Sequence, residues 1–254
     1  GRRQRALLQG AVRRRQLPRR LMTRLALCLL LACLMVGCAE TSSAPTNGPE
    51  ALRRRAAALR SEGKPAEAEG LLSQAIQSQP AATRDQRSAA ADLRRELASL
   101  RMSADDLPGA ERLYREALTL LENAPRGSDA AIINLRTQLA GLCYRQSRFD
   151  EAAEFYRTVL SLEVALLGET HPDPLGTMSI LGGLELKRGK LAEAESLFRR
   201  QLRGVQQLHG AEKREVTSVL DNLADVLDKA GQGAEAARLR AEAARIRRKL
   251  CDEC

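Results

Sequence analysis

Small and apolar residues recur along the chain with the spacing of paired amphipathic helices, and the pattern repeats. Five segments, KPAEAEGLLSQAI, DLPGAERLYREAL, RFDEAAEFYRTVL, KLAEAESLFRRQL and QGAEAARLRAEAA, place Ala68, Ala110, Ala152, Ala194 and Ala236 at an unvarying interval of 42 residues. Twelve residues upstream of each stands a second small residue: Ala56, Ala98, Ala140, Gly182 and Ala224. Leu97, Leu139, Leu181 and Leu223 precede four of these. Two small-residue sites at fixed offsets predict two helices per repeat that touch closely at those sites. Such a pair cannot bury its apolar face by itself, so the five repeats are expected to stack into an all-α solenoid over residues 50–250.

Composition narrows the core. Aromatic residues make up 2% of the chain and Trp is absent, so the interior must be built from Ala and Leu. That excludes a large β domain, which draws on aromatic and β-branched residues. With His171 and His209 the only histidines, a His-based triad or a multi-His metal site has too few members. No catalytic residue, cofactor, metal or small-molecule substrate is expected, and the chain does not read as an enzyme.

The repeat resembles the tetratricopeptide repeat, a helix-turn-helix unit with small residues on both helices, a turn Gly and an aromatic on the second helix. Gly63, Gly189 and Gly231 stand at the turn, where Asp105 and Ser147 replace Gly in the other two repeats. Leu72, Tyr114, Tyr156 and Phe198 fill the large apolar position, and Arg240 departs from it. The usual period is about 34 residues. The longer unit here adds about one helical turn to each helix. Together with LLGETHPD at 166–173 and its echo LHGAEKREV at 208–216, it resembles the kinesin-light-chain type of the repeat. The resemblance implies a right-handed superhelical solenoid of five such repeats whose inner, concave face binds a protein or peptide ligand.

Charge adds a separate N-terminal signal. Residues 1–38 hold nine Arg and no acid, which accounts for the whole net charge of +9 and leaves a neutral body with 32 basic and 32 acidic residues. A nucleic-acid partner is therefore not expected, despite the basic total. Arg19, Arg20 and Arg24 precede the 12-residue apolar run LALCLLLACLMV, which Gly37 and Cys38 follow, the order of a secretory signal. The run is short of the ~20 apolar residues that span a bilayer. LMVGC resembles a bacterial lipobox, with Cys38 as the lipidated residue. LLAC ending at Cys33 competes with it, and an uncleaved anchor over 21–39 is the other alternative. The resemblance implies a membrane anchor through lipid. With Ala39 rather than Asp next, it also implies an outer-membrane location in the bacterial cell envelope, facing the periplasm. Residues 39–49 read as a flexible tether. The chain opens on Gly1, and a start at Met22 would give a compact signal of its own.

Projecting the register onto the inner face of the first helices yields candidate partner-binding residues. Arg53, Arg60 and Arg95 come first, then Asn134, Thr137, Gln138, Tyr144 and Arg145. Ser179 and Lys187 follow, and Asp221, Asn222, Asp225 and Asp228 close the series. The groove is expected to run from basic through polar to acidic, which would orient a peptide by charge. A scatter of surface charge without function is the alternative. Tyr144 is the one aromatic off the packing positions. His171, before Pro172, is expected to cap the following helix, and His209 to sit in the equivalent loop. Cys143 is expected to be an inert buried thiol, and Cys251 and Cys254 to close a small disulfide at the 251–254 tail. The basic run from Arg238 to Lys249 reads as a solvated cap.

These features predict an envelope-located scaffold or adaptor that binds peptide segments. A pilotin-like or envelope-assembly factor for a secretin or pilus component is one alternative. A cytoplasmic repeat module with a spurious N-terminus is the other.

Overall fold

The structure is a computed structural model and describes residues 48–122 and 129–252. Cys38, the signal-like run and the tether up to residue 47 lie outside the described residues, as does Cys254, the partner expected for Cys251. Ten α-helices and no strand occur among the described residues. They are α1 Pro49–Ser61, α2 Pro65–Ser78, α3 Arg84–Ser103, α4 Leu107–Glu122, α5 Asp129–Arg145, α6 Phe149–Leu167, α7 Pro172–Lys187, α8 Leu191–His209, α9 Arg214–Lys229 and α10 Gly233–Asp252. The pairs α1/α2 to α9/α10 are the five repeats.

Each helix packs on its neighbours in sequence, and the first helices α7 and α9 also touch. Side chains tie the repeats into two layers. In the layer of first helices Arg53 on α1 bonds Glu96 on α3, and Lys187 on α7 bonds Tyr144 on α5. In the layer of second helices Arg115 on α4 meets Glu151 on α6.

Both small-residue series are buried throughout. Gly182 on α7 shows what they permit: a Cβ added there would lie 2.8 Å from Cζ of Phe198 on α8. Tyr114 and Tyr156 are buried at the register of Phe198 in the two preceding repeats. A large side chain on the second helix thus needs a small one on the first. The turns follow the same logic. Gly63, Gly189 and Gly231 have φ of 75°, 77° and 79°, and Asp105 and Ser147 adopt the same left-handed conformation at 62° and 59°. For a residue with a Cβ that conformation costs roughly 1–2 kcal/mol. Asp105 gains a partner in return, since its carboxylate accepts from Arg145 at 2.9 Å.

On α10, the last helix among the described residues, several basic residues are matched by acids. Arg240, at the aromatic register, bonds Asp225 at 2.7 Å and also Asp228. Arg247 bonds Asp221, and Arg245 and Lys249 share Glu212.

Gly182→Ala tests the close contact. The added methyl must displace the Phe198 ring in a packed interior, which costs roughly 1–3 kcal/mol. A urea melt followed by circular dichroism should show a lower midpoint for the variant with native helix content retained.

Candidate functional site

The inner face is the layer of first helices, and it carries less net charge than the register projection suggests. Arg53 pairs with Glu96 at 2.7 Å and lies near Glu50, and Arg95 bonds Asp92 on its own helix at 3.2 Å. Arg60 is exposed and has no ion-pair partner among the described residues. At the other end Asp221, Asp225 and Asp228 are bonded to Arg247 and Arg240 of α10. The expected gradient from basic to acidic is therefore corrected. Most of its members are matched by nearby opposite charges, because acids and arginines one turn or one helix apart can reach each other. Among the described residues Asn134, Gln138 and Asn222 bond no other side chain, and Thr137 donates to the backbone carbonyl of Ile133 at 2.9 Å.

The middle of the face is different. Gly141, Tyr144, Ser179, Ile180 and Gly183 line a recess of about 350 Å³ between α5 and α7, floored by Tyr156 and Leu184. A Cβ added at Gly141 or Gly183 would meet nothing within 4 Å, so packing does not require glycine there. Their absence of side chains keeps the floor low and the backbone open. Ile180 is 51% exposed and Tyr144 45% exposed, which leaves an apolar rim in water. Tyr144 meets Phe149 edge to face with ring centroids 5.5 Å apart. Lys187 Nζ lies 4.8 Å from the centroid of the Tyr144 ring and 4.5 Å from that of Phe149, and donates to the Tyr144 hydroxyl at 3.3 Å. Two rings and an ammonium that meets no acid among the described residues form one cluster at the edge of the recess. Arg145 turns away to Asp105. The register projection finds Tyr144, Ser179 and Lys187 but misses Ile180, Gly141 and Gly183. An isoleucine at a solvent-facing register position, where Gln138 and Asn222 stand in the flanking repeats, is the signal that finds the first.

Elsewhere the chemistry is structural. Glu111, Cys143 and Glu151 have ligand atoms within 4.8 Å of one another. However, Arg148 donates to Glu111 at 2.6 Å and to Glu151 at 2.5 Å, so a guanidinium stands where a cation would bind. Arg148 also holds both carboxyls below the ordinary range. Burial pushes the Cys143 thiol up, as an inert core thiol requires. His171 caps α7, its Nδ1 accepting from the Asp173 amide at 3.2 Å. His209 is the last residue of α8 rather than a loop residue, which corrects the expectation for it. No helix among the described residues is long and apolar enough to cross a membrane.

One buried acid gives a pH test. Glu163 on α6 is buried, its Oε2 has no partner, and burial raises its pKa above the ordinary carboxylate range against the opposing hydrogen bond with Thr177. A raised folded pKa means stability that is present below the unfolded value near 4.3 and lost as pH rises through the folded value. Glu163→Gln should therefore raise the melting temperature at pH 7 and give no gain at pH 4, as thermal scans at the two pH values will show.

Comparison with known proteins agrees with the architecture. A family model described as tetratricopeptide repeat matches residues 87–163, 128–200 and 173–249, together more than half of the chain. No curated protein matches. Among solved structures the chain is similar to BtubC (BKLC) from P. vanneervenii, at 22% identity over 79% of this chain and 80% of that one, with a TM-score of 0.60. It is also similar to a kinesin-light-chain-type protein of Podosopora anserina with nearly identical TPR-like repeats, at 20% identity over 79% and 95% of the two chains and a TM-score of 0.63. A third is YrrB, a TPR protein with an unusual peptide-binding site, at 13% identity over 80% and 88% and a TM-score of 0.53. At these identities the likeness concerns the fold.

Proposed function

Since the chain belongs to the tetratricopeptide repeat family, whose members generally act as protein-protein interaction scaffolds, we propose that it receives a peptide segment of a partner protein on its inner face at the α5–α7 recess. The observation that carries this reading is the recess itself. Two glycines that packing does not require lie between an exposed Ile180 and an exposed Tyr144, with Lys187 beside them. Apolar surface left in water, with polar groups at its edge, is what a docked segment would cover. The role is one of holding rather than of catalysis.

Gly183→Leu fills the recess from an exposed helix position where leucine is also the better helix former. A partner captured by photocrosslinking from Ile180 should bind this variant at least tenfold more weakly than wild type by calorimetry, with the melting curve unchanged or raised. Equal affinity would remove the recess from the function.

We further propose that the scaffold works in the bacterial envelope, tethered by a lipid on Cys38. The support is the basic segment, the 12-residue apolar run and the LMVGC ending. A lipid chain contributes about 0.8 kcal/mol per buried methylene, and removing its attachment point removes the anchor. Cys38→Ala should move the protein from the membrane to the soluble fraction, and intact mass should show acyl groups on the wild type only. Equal membrane association of the two proteins, with no lipid mass, would favour the cytoplasmic alternative.

A further inference from the structure

Ion pairs between successive second helices occupy one register at two of the four junctions; at the first, Ser73 and Gly109 stand at the paired positions, and at the third the charged residues are present but unpaired. Arg115 on α4 reaches Glu151 on α6 at 3.4 Å, and Arg199 on α8 reaches Glu235 on α10 at 2.9 Å. Arg157 and Glu193 stand midway, 42 residues from each counterpart, and do not pair. Arg157 instead bonds Glu185 at 2.5 Å and Glu154 at 2.6 Å.

The junctions differ at two places: Glu111 and Glu195 bond Arg115 and Arg199 from one turn earlier where Ala153 precedes Arg157, and one residue of the first helices competes for Arg157. Cys143, Glu185 and Leu227 share a register, and all three are buried. At the two regular junctions the residue in this column is neutral, and the arginine is free to reach the next repeat. A buried carboxylate needs matched partners. Glu185 draws in Arg157 on one oxygen and Arg188 on the other, the latter at 2.6 Å. Glu193 is left exposed, with no ion-pair partner among the described residues.

A cavity of about 550 Å³ opens where the pair is missing, walled by Leu160, Val164, Leu181 and Leu197, with Glu193 at its lining. The equivalent recess one repeat earlier holds about 320 Å³, and Phe155 fills the place of Leu197. The two arginines that line the cavity are already engaged, Arg157 with Glu185 and Arg200 with Glu169 at 2.9 Å. Among the described residues, the charge at its lining that stays unmatched is the carboxylate of Glu193.

We propose that this cavity is a second docking site, on the layer of second helices, for a partner segment presenting a large aliphatic side chain next to an arginine or lysine. The aliphatic group fills the apolar walls. The cation takes on Glu193 the place that Arg115 and Arg199 hold at the neighbouring junctions. The cavity lies within the size range of ligand sites.

The probe is a fluorescein-labelled, alanine-based peptide of about twelve residues with Leu and Arg four positions apart, neighbours on one helix face. Its controls replace Leu by Ser or Arg by Glu, and anisotropy is read against the full chain at low salt. The Leu/Arg peptide should bind saturably and the controls at least tenfold more weakly. Glu193→Gln should weaken binding about tenfold. Glu185→Leu should weaken it about tenfold, by freeing Arg157 to pair with Glu193 in the manner of Arg115 and Arg199. Gly183→Leu, on the opposite layer, should leave affinity for this peptide unchanged. Glu193 is exposed, so its variant decides the matter even if Glu185→Leu does not fold. No saturable binding, equal binding of the three peptides, or equal affinity for wild type and Glu193→Gln would overturn the proposal. So would self-association of the wild type in sedimentation that Glu193→Gln removes, since the occupant would then be a second copy of the chain.

Discussion

Everything in this molecule depends on how closely two helices of a pair can approach. The limit is set at two positions per repeat, where Ala or Gly keeps the backbones near enough for a large side chain to lie between them. Gly182 under Phe198 is one instance, with no room for one further carbon at ordinary contact distance. A buried contact of this kind tolerates neither loss nor gain of volume. The same interval of 42 residues must therefore hold in every repeat, and it does, without insertion, from Ala68 to Ala236.

A strict register turns each departure from it into a surface feature. Gly141 and Gly183 depart on the layer of first helices and leave a shallow recess with open backbone. Glu185 departs beneath the layer of second helices and rearranges the charges above it. Holding a carboxylate in a core of leucine and alanine is costly, and a hydrophobic residue there would often be as stable or more so. Arg240 departs at the aromatic register of α10 and binds the acids of α9. The regular positions build the stack of helix pairs and the irregular ones differentiate its faces.

The sequence and the structure agree most where a residue acts through its size. Small residues, turn positions and the buried rings follow from spacing, and even Asp105 and Ser147 take the left-handed conformation of the glycines they replace. Agreement is poorest for charge. Asp221 and Asp225 stand at inner-face positions by register, yet their carboxylates are taken by arginines of α10, 26 and 15 residues further along the chain. Long side chains choose among several acids within reach, and that choice depends on burial and on neighbours rather than on position in a repeat. Glu185 shows the point: its column of Cys143 and Leu227 marks it as buried, but only the packed helices show that two arginines converge on it.

If close helix contacts propagate from repeat to repeat, stability should belong to the stack and not to the single pair. Native-state hydrogen exchange on the full chain, resolved by helix, measures this most directly. The account predicts protection that is highest in α3 to α8, each pair flanked by repeats on both sides, and that falls toward α1 and toward α10. Equal protection in all five pairs, or greatest protection at either end, would contradict it.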